Sequence, residues 1–226
     1  MHKKSFMYKF IFGILFFFLG HNIFAQNSSD AGFLLGANYY MGDINPNKQL
    51  YSSSPTVGFL YRYNMGTRYT VRTSLSFSSL SGSDLDFDDV YQQSRGASFE
   101  TELVDFSLQV EFNFQPFMAP LSSRTKRFSP YITSGISYLS VSSTSSSFAI
   151  PMGVGCKYLL GKRWTAAIEW TFKKSFTDDL DGLDDPNNFG DASMFHNNDW
   201  TSFLGVTLTL QLFNDLECHA YDRLVK

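Results

Sequence analysis

The chain has 226 residues and a formal net charge of −3, from 18 Lys and Arg against 21 Asp and Glu. The small charge and the lack of a basic tract argue against a nucleic-acid partner. Aromatic residues make up 17% of the chain, which favours strands and lipid interfaces, and the two cysteines, Cys156 and Cys218, are too few for a disulfide framework.

The N-terminus has the features of a secretory signal peptide. Lysines precede an apolar run from Phe10 to Leu19, and Ala25 supplies a small residue at the cleavage point. The alternative, a retained anchor helix, is weaker because the run is too short to span about 30 Å of hydrocarbon. We therefore expect residues 1–25 to be removed on export, residues 26–213 to form one domain and residues 214–226 to form a periplasmic tail.

The first three strands are predicted from alternating polarity. Apolar and small residues alternate from Ala31 to Tyr40, and turn-forming residues follow as far as Ser54. Two further alternating runs lie within Val57–Ser78, separated by the short polar stretch 64–67. A period of two on both sides of a Gly-containing turn is typical of an antiparallel hairpin. One face of this hairpin is aromatic and aliphatic, and the other carries arginine, serine and threonine.

The fourth strand follows a predicted loop over residues 80–97. Val104 to Phe114 alternates apolar with polar residues, but Phe99, Thr101 and Leu103 are apolar or small on the opposite parity. Such a change of parity predicts a β-bulge or the lipid boundary near Leu103.

Four more strands are predicted in the second half of the chain. They cover residues 128–141, 150–158, 164–173 and 204–213. Their connections are 115–127, a serine-rich tip over 140–147, the short turn 160–163 and the long polar loop 175–199. Strand boundaries read from a pattern are uncertain by about two to four residues.

The alternating faces fit either a soluble sandwich with an apolar core or a membrane barrel with an apolar exterior. The strand number is even, and short turns alternate with long loops, which is the arrangement of outer-membrane barrels. We therefore predict an all-β fold: an eight-stranded antiparallel transmembrane up-and-down β-barrel. The polar positions of the strands, which would face the interior, include both basic and acidic residues. An eight-stranded barrel has room inside only for side chains, so we predict a plugged polar interior and no pore. The basic residues are Arg62, Arg68, Arg72, Lys157 and Lys173, and the acidic residues are Asp105, Glu111 and Glu169.

The sequence resembles the small outer-membrane barrels of the PorG type, which are associated with the type IX secretion system and gliding machinery. The resemblance rests on residues 99–114, 130–135, 150–157, 161–181 and 199–208. It implies a structural, non-enzymatic part of the export apparatus that contacts a periplasmic ring made by a lipoprotein and its partner. It implies no catalytic residue and no cofactor.

Basic residues on the predicted periplasmic turns are candidate contacts with such a partner. They are Arg124, Lys126, Arg127, Lys162 and Arg163. Cys218, in the predicted tail, is a further candidate, as an intermolecular bridge or as a free thiol. Cys156 shares the lipid-facing parity and is expected to act as a small apolar residue.

For calcium binding, catalysis and ion conduction, a simpler explanation of the residues is preferred in each case. An acidic run over 178–185 could offer oxygen ligands to Ca²⁺, but its order does not fit an EF-hand and a hydrated loop is preferred. His196 lies near Ser193 and Asp199, although Ser and Asp are common in any loop, so we expect no enzyme. The interior charges could line an ion path, but a packed core of paired charges is favoured.

The alternative function for the whole protein is a free-standing surface barrel whose long loops bind an extracellular ligand.

Overall fold

The computed structural model describes residues 28–42, 44–45, 48–119, 121, 125–142, 146–176 and 199–214. The predicted signal peptide and the predicted tail beyond residue 214 lie outside this set. The described chain forms one closed antiparallel barrel in which each strand pairs with its neighbour in sequence. The strands are β1 (Ser28–Met41), β2 (Ser54–Asn64), β3 (Tyr69–Ser83), β4 (Ser98–Asn113), β5 (Phe128–Val141), β6 (Ser147–Leu159), β7 (Trp164–Ser175) and β8 (Trp200–Asn214). The predicted eight-stranded up-and-down barrel is confirmed.

The barrel closes by pairing of its first and last strands. β1 and β8 pair from Ser28↔Asn214 to Met41↔Trp200, with one register shift between Ser29 and Asp30. Closure pairs the strands all the way round, which is how a β-structure satisfies its backbone groups in hydrocarbon. Within the described residues, no helix is long and apolar enough to cross a membrane.

The two faces of the wall lie as predicted for a membrane barrel. Phe59 and Phe77 point outward and are 57% and 44% exposed, whereas Arg62 and Glu169 point inward and are 1% and 2% exposed. A soluble sandwich would have the opposite arrangement, with its aromatic residues in a dry centre. An apolar exterior around a polar interior is the surface of a barrel that crosses a membrane.

The two ends of the barrel differ in their connections. The end where β1 begins and β8 ends, called the near end, has the turns 65–68 and 160–163 and the longer connection 114–127. The opposite end, called the far end, has the connections 42–53, 84–97, 142–146 and 176–199. The connection 84–97 contains a 3₁₀ turn (Asp84–Asp86) and a short helix, α1 (Val90–Arg95).

Of the two alternatives predicted near Leu103, a β-bulge or the lipid boundary, the bulge is absent. β4 pairs with β3 in one unbroken register from Ser98 to Phe112, and Leu103 points inward with an exposure of 1%. The interior, not the strand, changes at this point, because the inward side chains of β4 are polar from Asn113 to Asp105, whereas Leu103, the next inward residue, is apolar. β3 also continues to Ser83, so the predicted loop over 80–97 begins four residues later.

Candidate functional site

A network of charged side chains fills the middle of the barrel around Glu111. Arg62 Nε lies 3.1 Å from Glu111 Oε1, and Arg72 Nη1 lies 3.2 Å from the same oxygen. Lys157 Nζ lies 2.5 Å from Glu111 Oε2, and 4.7 Å from the centre of the Tyr131 ring. The three cations come from β2, β3 and β6, so the pairs to Arg62 and Lys157 cross the lumen rather than join adjacent strands. Glu111 therefore links its own strand, β4, to three other strands of the wall.

A second carboxylate, Glu169, completes the network from β7. Arg72 forms an ion pair with it, Tyr131 Oη donates a hydrogen bond of 2.5 Å, and Thr171 Oγ1 donates one of 2.8 Å. Arg72 also donates to the side-chain carbonyl of Gln109. Because buried charges are tolerated when they are paired and hydrogen-bonded, this arrangement stabilises a polar core.

A third pair, Lys173 with Asp105, lies toward the far end. Asp105 also accepts hydrogen bonds from Ser137 and, at 3.4 Å, from Ser76. The predicted interior charges therefore meet as expected, with one exception. Arg68 lies in the exposed turn after β2, where Nη1 donates to the backbone carbonyl of Phe114 at 2.8 Å. The alternating pattern includes Arg68 but cannot show that β3 begins only at Tyr69.

Little space remains between these side chains. A cavity beside Arg62 and Lys157 and another beside Arg72 and Asp105 each have a volume of about 10 Å³. That volume holds about one water molecule. The interior is plugged, as predicted, and the two cavities form no channel through it.

The far end is closed by an apolar cap. Inward residues of the strands and residues of two far-end connections pack into one buried cluster. Its members are Tyr40, Ile44, Leu80, Phe87, Leu103, Leu139, Val141 and Ala149, with Tyr51 and Phe99 packed against it. Gln92 Nε2 donates to the carbonyl of Ile44 at 3.0 Å, which ties α1 to this cap. The sequence pattern missed the cap because its members lie on several strands and loops.

Polar contacts fix the connection 84–97 over the cap. Buried Asp84 accepts hydrogen bonds from Arg95 Nε at 2.6 Å and Nη2 at 2.7 Å, and from the backbone N–H of Ala97 at 3.0 Å. Tyr51 Oη donates to Asp86 Oδ2 at 2.5 Å, and burial together with this carboxylate raises the pKa of the Tyr51 phenol. Lys48 Nζ lies 4.3 Å from the centre of the Phe87 ring. These contacts therefore hold the connection 84–97 in one position over the cap.

The near end is closed by the connection between β4 and β5. Phe117 and Ala119 are buried against Leu159, and Gln211 of β8 donates to the carbonyl of Ala119. The backbone N–H of Phe117 donates to the carbonyl of Thr67 at 2.8 Å. This segment has no period of two, so the sequence predicts only a loop, without its position across the barrel mouth.

The predicted basic contacts lie at this near end where the structure describes them. Lys126, Arg127 and Lys162 are exposed, and their side chains make no hydrogen bond or ion pair with the described residues. Arg163 is exposed but is held by the carbonyl of Gln211, at 2.8 Å from Nη2. Arg124 and Cys218 lie outside the described residues. We call Lys126, Arg127, Lys162 and Arg163 the basic rim.

The other candidates lie mostly outside the described residues, including His196, Ser193 and the acidic run 178–185. Asp199 is described: it is buried and accepts a 2.5 Å hydrogen bond from Tyr40 Oη. Among the described residues, no group of three His, Cys, Asp or Glu side chains could hold a metal ion. Cys156 is a free, half-buried thiol.

One interior charge was missed by the sequence pattern. Asp30 lies beside Arg62 at the near end and accepts a hydrogen bond from Asn64 Nδ2 at 3.3 Å. The predicted first strand began at Ala31, one residue too late to include it. The parity of Gly32 and Leu34, extended backward, places residue 30 on the inward face.

The barrel is similar to several solved structures of bacterial surface proteins. Neisserial surface protein A (NspA) has a TM-score of 0.50 and 8% identity, with 83% of this chain and 98% of that chain covered. Ail of Yersinia pestis, solved with a heparin analogue, has a TM-score of 0.44 and 10% identity, covering 82% and 97%. Outer Membrane Protein W of E. coli has a TM-score of 0.40 and 10% identity, covering 82% and 98%. At these identities, the likeness to NspA shows the fold alone.

Sequence comparison places the chain in a family. No curated protein sequence matches it significantly. A family model matches residues 8–222, which is nearly the whole chain. The chain therefore belongs to the family described as "Domain of unknown function (DUF6089)".

Proposed function

We propose that the protein is a non-enzymatic outer-membrane barrel that anchors or contacts the periplasmic ring of the type IX secretion machinery. The observation that supports this role is the basic rim at the near end, below a sealed interior. A plugged barrel offers no route for a substrate, so its function lies in the surfaces that it presents. The resemblance to PorG-type barrels supports the type IX secretion machinery as the partner, and the predicted signal peptide supports export to the outer membrane.

The basic rim is suited to a protein partner with an acidic surface. Lys126, Arg127 and Lys162 have no counter-charge among the described residues, so their charges are available to a partner. Arg163, by contrast, is bound to Gln211 and serves the barrel as well. Complementary charge at an interface increases association rate and specificity.

Charge reversal of the free part of the rim tests this role. We expect Lys126→Glu, Arg127→Glu and Lys162→Glu together to reduce co-purification of the ring lipoprotein, while the barrel remains folded. Arg163 is left unchanged, because its substitution would also disturb the wall. Val90→Glu, which adds a carboxylate at an 84% exposed position of the far end, is the control. Unchanged recovery of the lipoprotein with the triple variant would reject the rim as the contact.

Crosslinking in intact cells gives an independent measurement. A photo-reactive residue at position 162 is expected to capture the ring lipoprotein or its partner, identified by mass spectrometry. The same residue at Val90, which is 84% exposed at the far end, should capture neither. Capture from position 90 alone would favour the other function, a free-standing surface barrel that binds an extracellular ligand. The ordered cap and the fixed connection 84–97 support that second candidate.

A further inference from the structure

The hairpin of β3 and β4 rises above the rest of the wall at the far end. β3 and β4 remain paired up to Ser83↔Ser98, whereas β4 and β5 are paired only up to Leu103↔Val141. The β4 residues from Ser98 to Glu102 therefore extend about 17 Å beyond the last pair with β5, at about 3.4 Å per residue.

The outward side chains show where the lipid-facing surface ends on this hairpin. Phe77 and Val104 are partners and are the last apolar outward pair. Beyond them the outward pairs are Ser79 with Glu102 and Ser81 with Glu100. The polarity changes at the same height on both strands, so the upper part of the hairpin stands in water rather than in lipid.

One edge of this upper hairpin is covered. On the β2 side, Tyr51 Oη accepts from the backbone N–H of Ser83 at 3.1 Å, and Ser52 Oγ lies 2.7 Å from Ser81 Oγ. The side chain of Tyr51 thus satisfies the backbone N–H of Ser83, and the side chain of Ser52 lies against Ser81 on the same edge. This covering prevents another strand from pairing there.

Beyond Leu103 the other edge, on β4, is paired with no strand among the described residues, and we call it the open edge. The carbonyl of Glu102 accepts the backbone N–H of Ser142 at 3.1 Å, which fixes the direction of the even-numbered backbone groups of β4. In an antiparallel strand these directions alternate, so the N–H and C=O of Glu100 and Ser98 also point away from β3. Neither residue has a hydrogen-bond partner there among the described residues. The edge faces an open groove of about 520 Å³, lined by Ser79, Glu100, Thr101, Glu102 and Ser142.

The open edge is held rigid from inside. Leu80 and Leu103 on the inward face belong to the apolar cap, and Phe99 packs against it. The strand is therefore preorganised, and a partner would lose little free energy in ordering it.

We propose that this edge is an acceptor site for an extended, basic segment of an extracellular polypeptide, which adds to β4 as a further strand. Main-chain hydrogen bonds to Glu100 and Ser98 hold the segment, as in other recognition by strand addition. Glu100 and Glu102 select Lys or Arg on the added strand, since opposite charges on neighbouring strands stabilise a sheet. The same two carboxylates repel a second copy of this edge, which prevents self-association.

A defined peptide tests both parts of the proposal. The probe is a fluorescent nine-residue peptide that alternates Lys with Thr, and binding to the full-length barrel in neutral detergent is followed by anisotropy. We expect saturable binding that is at least about tenfold weaker when alternate peptide nitrogens are methylated, because methylation removes the N–H groups that would bond to the edge. A Glu/Thr peptide should not bind.

Variants of the edge separate backbone from charge recognition. Glu100→Pro removes an N–H that points into the groove and no bond to β3, so it should reduce affinity about tenfold. Glu100→Gln with Glu102→Gln should weaken binding and remove its salt dependence. Asp88→Asn, an exposed acidic residue outside the edge, is the control and should leave affinity unchanged.

The outcomes decide the proposal even if the proline variant does not fold. Equal affinity for the methylated and unmethylated peptides on the unaltered barrel would mean that charge alone attracts the probe, and would overturn strand addition. Absence of saturable binding by the Lys/Thr peptide would overturn the acceptor site altogether. Folding of each variant is checked by its gel migration with and without boiling.

Discussion

Lys157 Nζ lies 2.5 Å from Glu111 Oε2, although β5 separates the strands β6 and β4 that carry these residues. The ion pair therefore crosses the lumen rather than following the sheet. Together with Arg62 and Arg72 on the same carboxylate, it links opposite sides of the wall. The interior network contributes to the stability of the closed barrel and at the same time excludes a pore.

Removing the shared carboxylate should destabilise the barrel strongly. Glu111→Gln leaves Arg62, Arg72 and Lys157 buried without their common counter-charge, and breaking a buried pair in this way costs about 3–5 kcal/mol. The free energy of unfolding can be measured in urea with the barrel in lipid vesicles. Glu102→Gln, an exposed change on the same strand, is expected to stay within about 0.5 kcal/mol of the original. Similar values for the two variants would contradict the role of Glu111.

Removing one of the three cations should cost less. In Lys157→Met the chain keeps a long unbranched side chain, and Glu111 retains its pairs with Arg62 and Arg72. We expect a loss of about 1–3 kcal/mol, measured in the same unfolding experiment, because hydrogen bonds to charged groups contribute about 1.5–3 kcal/mol. A loss as large as that of Glu111→Gln would show that Lys157, not the arginines, dominates the network.

The sequence is sufficient to predict the faces of the strands but not which interior residues meet. Arg72 and Glu169 both lie on the polar parity, and a period of two is visible without any structure. Their contact depends on closure and on the stagger between β3 and β7, which are properties of the whole barrel. Leu103 illustrates a second limit. It is apolar although it lies on the inward face, because it packs in the apolar cap, and the cap is formed by several strands and loops together.

Connections were the least predictable parts. Phe117 and Ala119 have no alternating pattern, and their burial depends on Leu159 of β6 and Gln211 of β8. The basic residues of the turns were found because the turns are short and defined by the strands on either side. Arg163 shows that position alone does not give a role, since its guanidinium is bound to a backbone carbonyl.

The packed interior should prevent the barrel from conducting ions. We expect the protein in planar bilayers to give no conductance above that of the lipid, because the described interior is filled by side chains and the cavities beside Arg62 and Arg72 each hold about one water. Replacing Phe117 and Met118 with glycine should not open it, since the network around Glu111 still fills the centre. Discrete channel events with the unaltered protein would refute the sealed interior.

Charge on the outward face should be costly only within the lipid-facing wall. Phe59 lies in the middle of β2 and points outward, so Phe59→Arg should destabilise the barrel in vesicles by about 2–4 kcal/mol. Leu85→Arg introduces the same side chain at an equally exposed position of the far-end connection, and should have an effect within about 0.5 kcal/mol. Equal effects at the two positions would mean that Phe59 does not face hydrocarbon.

The ion pair of Asp84 and Arg95 should protect the connection 84–97 from proteolysis. Asp84→Ala removes both bonds to Arg95 and the bond to the N–H of Ala97, so the segment around Tyr91 should open more often. With chymotrypsin added outside intact cells, we expect cleavage in this segment at least about tenfold faster than in the original, because charged hydrogen bonds contribute about 1.5–3 kcal/mol each. Asp88→Ala, a neighbouring exposed acid, should be cut at the original rate. Cleavage in permeabilised cells alone would reverse the assignment of the far end to the outside, and an unchanged rate in both would show that the pair does not hold this connection in place.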